Sequence, residues 1–232
     1  PAFVLSYSDD GGKSFSQASN TGGWVHSDHH ALWINPQNPN QLFLGTDGGL
    51  YMSLDRGVTF NFLNMLPLAQ YYRVSFDEAQ PYNVYGGLQD NDSWMGPSQS
   101  PGGVENKDWT QVGPGGDGFW VQPDLLDDNY IYAETQGGSS IRYNKKTNER
   151  KNIQPYPLAG EPKLRWNWNS PLQVSPTNKA VLYAGSQYVY KTWNKGDSWK
   201  RISPDLTTNN PDKQKQEESG GVTVDNSSAE NH

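Results

Sequence analysis

The apolar residues come in short runs, each about the length of a strand, broken at regular intervals by polar corners rich in Asn, Asp, Gly and Pro. "INPQNPNQLFLGTDGGLYMSLDRGVTF" (Ile34 to Phe60) and "VSPTNKAVLYAGSQYVYKTWNKGDSW" (Val174 to Trp199) repeat one order of parts. An x-Pro turn comes first, followed by an Asn-containing corner, an apolar strand, a Gly, a second strand and a polar octapeptide. Two looser copies lie between, "SFDEAQPYNVYGGLQDNDSWMGP" (Ser75 to Pro97) and "VQPDLLDDNYIYAETQGGSSIRYNKKTNE" (Val121 to Glu149). Asn35, Asp77, Pro123 and Ser175 mark equivalent places and are separated by 42, 46 and 52 positions. No segment carries the 3.6-residue period of an amphipathic helix.

A repeat of about 40–50 residues is the spacing of four-stranded propeller blades. The expectation is therefore an all-β protein, a β-propeller arc of four-stranded antiparallel blades over residues 1–202. Residues 203–232 read as a polar loop or disordered tail leading towards a next blade. The copies are too few to close a ring of six to eight blades, and the chain starts inside an apparent strand, "AFVLSYS". This predicts a processed or excised piece, its ring completed by further blades of the same protein or by a partner subunit.

The octapeptides "SDDGGKSF", "SLDRGVTF" and "TWNKGDSW" share Ser or Thr at position 1, Asp or Asn at 3, Gly at 5 and an aromatic at 8. Gly12, Gly57 and Gly196 suit a backbone with positive φ, while Asp10, Asp55 and Asn194 suit hydrogen bonds to the turn's own amides. These residues predict a stapled hairpin turn.

Composition narrows the chemistry. Apolar residues make up 33%, with 24 Gly and 12% aromatics, as in a turn-rich β protein. A net charge of −7, with 18 Lys and Arg spread thinly, argues against a nucleic-acid partner. No apolar run approaches the roughly 20 residues of a membrane-spanning helix. The absence of Cys removes disulfides and thiolate metal sites.

Four segments fall outside the blade pattern: "WVHSDHHALWI", "GGLQDNDSWMGP", "GPGGDGFW" and "LRWNWNSPL". In a propeller their loops can converge on one channel mouth. His26, Asp28 and His30 alternate, so an extended backbone would put them on one side as a candidate site for a divalent cation, or as a strand-entry hydrogen-bond set. Asp90 and Asp117 are candidates for an acid and base pair in glycoside hydrolysis, against a turn-capping alternative. Trp166 and Trp168, on one face if extended, with Asn167, Arg165 and Gln89, form a candidate carbohydrate or polypeptide platform, against an interblade packing alternative.

The octapeptides resemble the Asp-box, or bacterial neuraminidase repeat. The ordered set "HSDHHALWINPQNPNQLFLGTDGGLYMSLDRGVTF", "YGGLQDNDSWMGPS", "GGDG", "RWNWNSP" and "ISPDLT" resembles large bacterial Asp-box propellers of the sortilin-N-terminal-like and glycosyl-hydrolase-like group. That resemblance implies an exported bacterial protein, either a glycan-directed hydrolase or a noncatalytic, sortilin-like propeller that binds a polypeptide or a partner subunit. It implies no particular cofactor. The Arg-Ile-Pro start of sialidases is absent, and no spacing selects Arg73, Arg142 and Arg165 as a sialidase triad.

Overall fold

The computed structural model describes residues 4–19, 21, 24–65 and 68–214, which divide into two units between Ala69 and Gln70. In the first unit, β1 (Ser6–Tyr7) and β2 (Ser16–Gln17) pair as a hairpin. A four-stranded meander follows: β3 (His29–Ile34), β4 (Leu42–Thr46), β5 (Gly49–Ser53) and β6 (Asn61–Phe62). Val25, Leu44 and Tyr51 form its small core.

The second unit holds three more meanders, each with antiparallel neighbours in chain order. The first is β7 (Tyr71–Phe76), β8 (Asn83–Leu88), β9 (Ser93–Pro97) and β10 (Thr110–Gln111). The second is β11 (Gly118–Pro123), β12 (Tyr130–Thr135), β13 (Ser139–Asn144) and β14 (Arg150–Asn152). The third is β15 (Leu172–Val174), β16 (Leu182–Gly185), β17 (Val189–Thr192) and β18 (Lys200–Arg201). The fold is all-β, made of β-propeller blades.

The core of this unit lies between blades. Ile131 and Ala133 of β12 pack with Tyr85 and Val121, while Tyr132 of the same strand packs with Leu172, Leu182 and Tyr190. The central blade is thus buried on both faces, which is why "YIYA" is an unbroken apolar run. Burying a side chain such as Ile131 or Leu172 completely contributes about 1.5–3 kcal/mol. At the polar corners a Tyr clips an Asp eight residues earlier: Tyr85 Oη donates to Asp77 at 2.8 Å and Tyr132 Oη to Asp124 at 2.6 Å.

Each octapeptide forms one hydrogen-bonded turn. The hydroxyl at position 1 accepts from the amide of the Gly at position 5: Gly12 and Gly57 at 2.8 Å and Gly196 at 3.2 Å. The position-3 side chain accepts from the amide at position 7: Ser14 at 2.9 Å, Thr59 at 2.8 Å and Ser198 at 3.0 Å. Gly12, Gly57 and Gly196 have φ of 87°, 84° and 85°. The residue before each Gly is left-handed too, even where it is Arg56 or Lys195.

The stretch after β18 is bound back onto the last blade. Ser203 Oγ accepts from the Val189 amide at 2.8 Å, and the Leu206 amide donates to the Gln187 carbonyl at 2.9 Å. The remainder of the expected tail, 215–232, lies outside the described residues.

Candidate ligand-binding site

Three of the four segments outside the blade pattern meet in the second unit. The β8–β9 turn carries Asp90 and Asp92, both left-handed at φ 59° and 62°. The loop before β11 carries Asp117. Asp92 and Asp117 form an isolated parallel bridge, with the Asp92 amide donating to the Gly116 carbonyl at 2.8 Å. The approach is so close that a Cβ on Gly118 would lie 2.3 Å from the Asp92 carbonyl oxygen, and one on Gly113 would lie 1.9 Å from Asp92 Oδ1. Glycine is required at both positions.

The carboxylates organise this junction. Asp92 Oδ1 accepts from the amides of Ser93 at 2.7 Å and Gly115 at 3.1 Å, and its Oδ2 accepts from Gln111 Nε2. Asp117 is 4% exposed. Its Oδ1 accepts from the Asp90 amide at 2.7 Å and its Oδ2 from Trp168 Nε1 at 2.8 Å. One carboxylate on the central blade therefore joins loops of the blades on either side. Asp90 and Asp117 are brought together, through the Asp90 backbone. Tyr72 packs on Phe119 with the rings tilted and their centroids 4.6 Å apart, and its phenol pKa is raised by burial and then by the charges of Asp117 and Asp90, which places it in the field of both.

Residues 164–171 form no strand, so Trp166 and Trp168 are not alternating strand positions as expected. The two indoles are engaged differently. Trp166 lies against Gly138, where a Cβ would come within 2.2 Å of its ring, and packs on the interblade core. Trp168 is half-buried, bonds Asp117 and accepts from the Gly137 amide through its carbonyl at 3.2 Å. Asn167 between them is exposed. The loop is further tied by Trp120 Nε1, which donates to Asn169 Oδ1 at 3.0 Å. Gln89 belongs to the same β8–β9 turn, its amide donating to the Gln70 carbonyl at 3.0 Å. Arg165 instead binds Asp205 at 2.7 Å and Thr207 at 2.6 Å.

Glu134 of β12 sits beneath this loop and was not among the expected site residues. It is 1% exposed, and its Oε1 accepts from the Ser170 amide at 3.1 Å while no described residue pairs with its Oε2. Burial pushes its pKa up to about 9, against the backbone amides of Ser170, Trp120 and Gly138 and the charge of Arg73. An acid within the buried run "YIYAET" is the sequence signal that points to it. Arg73 itself lies over the Trp120 ring, 4.0 Å from its centroid.

The His segment belongs to the first unit. Asp28 has φ 62°, which breaks the extended run needed to align His26, Asp28 and His30. His26 Nδ1 lies 2.8 Å from the Ser27 carbonyl, and His30 Nε2 lies 2.6 Å from Asp47 Oδ1. Among the described residues no group of three or more His, Asp or Glu is placed to hold a metal ion.

No protein-family model matches the chain, and no curated protein matches it. Among solved structures it is similar to the GH74 xyloglucanase from Xanthomonas campestris, with 18% identity over 84% of this chain and 33% of that one, and a TM-score of 0.41. It is also similar to an auxiliary nutrient binding protein from Bacteroides thetaiotaomicron, with 14% identity over 77% and 42% and a TM-score of 0.41. A third is YCF48 from Cyanidioschyzon merolae, with 15% identity over 86% and 66% and a TM-score of 0.38. The chain spans about a third of the length of the xyloglucanase.

Proposed function

We propose that the chain is part of an exported Asp-box propeller that binds glycans through the junction of the three blades in its second unit, the ring being completed by further blades. The observation that carries this reading is the Asp117 carboxylate, which joins the Asp90 turn to the Trp168 loop. Around it stand partly exposed aromatics, Tyr72 and Trp168, an exposed amide, Asn167, and the Asp90 turn. Flat apolar faces beside amides and carboxylates suit a sugar ring, which is apolar on its faces and hydroxylated at its edge.

Binding is favoured over hydrolysis by the state of Asp117. A glycosidase acid or base must reach the scissile bond, across carboxyl separations of roughly 5–10 Å. Asp117 is buried with both oxygens engaged, which fits a positioning residue. A polypeptide ligand in the same junction is the competing reading, and titration separates the two. The longest native chain containing this segment is titrated calorimetrically with plant and bacterial oligosaccharides and with mixed peptides. Saturable oligosaccharide binding that Trp168→Ala weakens at least tenfold, and that is unchanged by Trp193→Ala at an exposed position of the third octapeptide turn, supports the reading. Peptide binding alone, or no binding, overturns it.

A further inference from the structure

The arginines of the second unit are all committed to protein acceptors except one. Arg142 donates to the Lys195 carbonyl at 2.9 Å and pairs with Asp197 at 3.1 Å. Arg150 donates to the Gly113 carbonyl at 3.2 Å, Arg165 to Asp205 at 2.7 Å, and Arg201 pairs with Glu161 at 2.9 Å. Arg73 is exposed, and among the described residues its guanidinium has the Trp120 face beneath it and no hydrogen-bond acceptor. Trp120 is a fixed support, held by Asn169 and packed on the interblade core.

The position of Arg73 is set by the fold. The register of β7 on β8 shifts between Tyr71 and Arg73, a bulge of the kind that re-aims side chains. Arg73 thereby lies on the inner strand of its blade, next to Tyr72, and reaches over the inner strand of the next. Glu134, whose carboxyl feels the charge of Arg73, is buried and has its pKa pushed up to about 9 by that burial, while the Asp117 and Asp90 carboxylates act on Tyr72 beside Arg73.

We propose that Arg73, laid on Trp120, is the anion anchor of this site, and that the ligand is a glycan carrying a sugar-acid carboxylate. This rests on the glycan-binding reading and narrows its ligand. A stacked guanidinium has its donors pre-aligned in one plane, matching the two oxygens of a carboxylate, while the sugar ring that bears the carboxylate can lie against the neighbouring aromatics. A lysine at this position would keep the charge and lose the planar fork.

The test uses paired probes on the full chain: oligogalacturonides and glucuronate-containing oligosaccharides, each against its methyl ester, which keeps the ring and masks the charge. The acids are expected to bind at least tenfold more tightly than their esters. Arg73→Gln should abolish that preference by weakening the acids to about the affinity of their esters, and Arg73→Lys should restore only part of it. Equal affinity for acids and esters, or a preference that survives Arg73→Gln, overturns the anchor and leaves glycan binding standing. Failure of acid, ester and neutral oligosaccharides alike overturns both.

Discussion

At the residue scale, the octapeptide turns show one geometry served by two chemistries. In the second, Thr59 Oγ1 donates to Asp55 Oδ2 at 2.6 Å; in the third, Asn194 Nδ2 donates to Ser198 Oγ at 2.9 Å, so the donor and acceptor exchange roles. The Asp55 carboxyl is held down at about 2, first by the Thr59 hydroxyl, then by its amide and the Ser53 hydroxyl. A depressed carboxylate stabilises above its unfolded value and loses that contribution as pH falls through the folded one. The Thr59 amide resonance should therefore shift between about pH 4 and pH 2, while the Ser198 amide keeps its Asn194 bond; NMR titration reads both. An unmoved Thr59 amide would remove the carboxylate from the turn.

The fifth position also divides by surroundings. A Cβ on Gly196 would lie 2.7 Å from Ile153 Cβ, whereas one on Gly57 would lie 3.4 Å from Ala18 Cβ, with a left-handed backbone at both. Gly196→Ala should lower the stability of the second unit by about 1–3 kcal/mol from overpacking, beyond the backbone strain it shares with Gly57→Ala. Urea unfolding of the two variants reads the difference, and equal losses would show that Ile153 yields freely.

At the scale of elements, β12 carries both the interblade core and the support of the Trp166–Ser170 loop. Glu134 has a folded pKa raised to about 9 from an ordinary 4.5, so the folded state holds a proton that the unfolded state releases. Its stabilising contribution is complete below about pH 4.5 and falls as pH rises towards 9. Glu134→Gln should flatten that decline across pH 5–9, measured by thermal unfolding, and keep oligosaccharide affinity. Glu134→Ala should loosen the loop and weaken affinity. A decline of unchanged slope in Glu134→Gln would assign the buried proton elsewhere.

The strands and their polar corners were legible because local rules set them: short apolar runs between Asn-, Asp-, Gly- and Pro-rich corners, a Gly where φ turns positive, an Asp beside its own amides. The junction was legible only as types. Asp90, Asp117 and Trp168 stood out as residues, but their joining depends on contacts between blades, 27 and 51 residues apart in the chain. The inner-strand bulges that place His30, Tyr72 and Trp120 leave no mark in composition. The expected alignment of His26, Asp28 and His30 on one side of an extended backbone is broken locally, at the left-handed Asp28.

For the whole molecule, four blades of one pattern account for the repeat, and no helix among the described residues is long and apolar enough to cross a membrane. On the proposed glycan-binding reading the ligand enters where the blades of the second unit meet, and the indole N–H groups report on it directly. Trp168 donates to Asp117, and Trp199 donates to the Ile153 carbonyl at 2.6 Å, elsewhere in the same unit. In one titration of the full chain with mixed neutral and acidic oligosaccharides, followed in the indole region of the nitrogen–proton NMR spectrum, the Trp168 resonance should move to saturation while that of Trp199 stays fixed. A Trp168 signal unmoved at ligand excess, or a shift confined to Trp199, would rule out ligand entry at this junction.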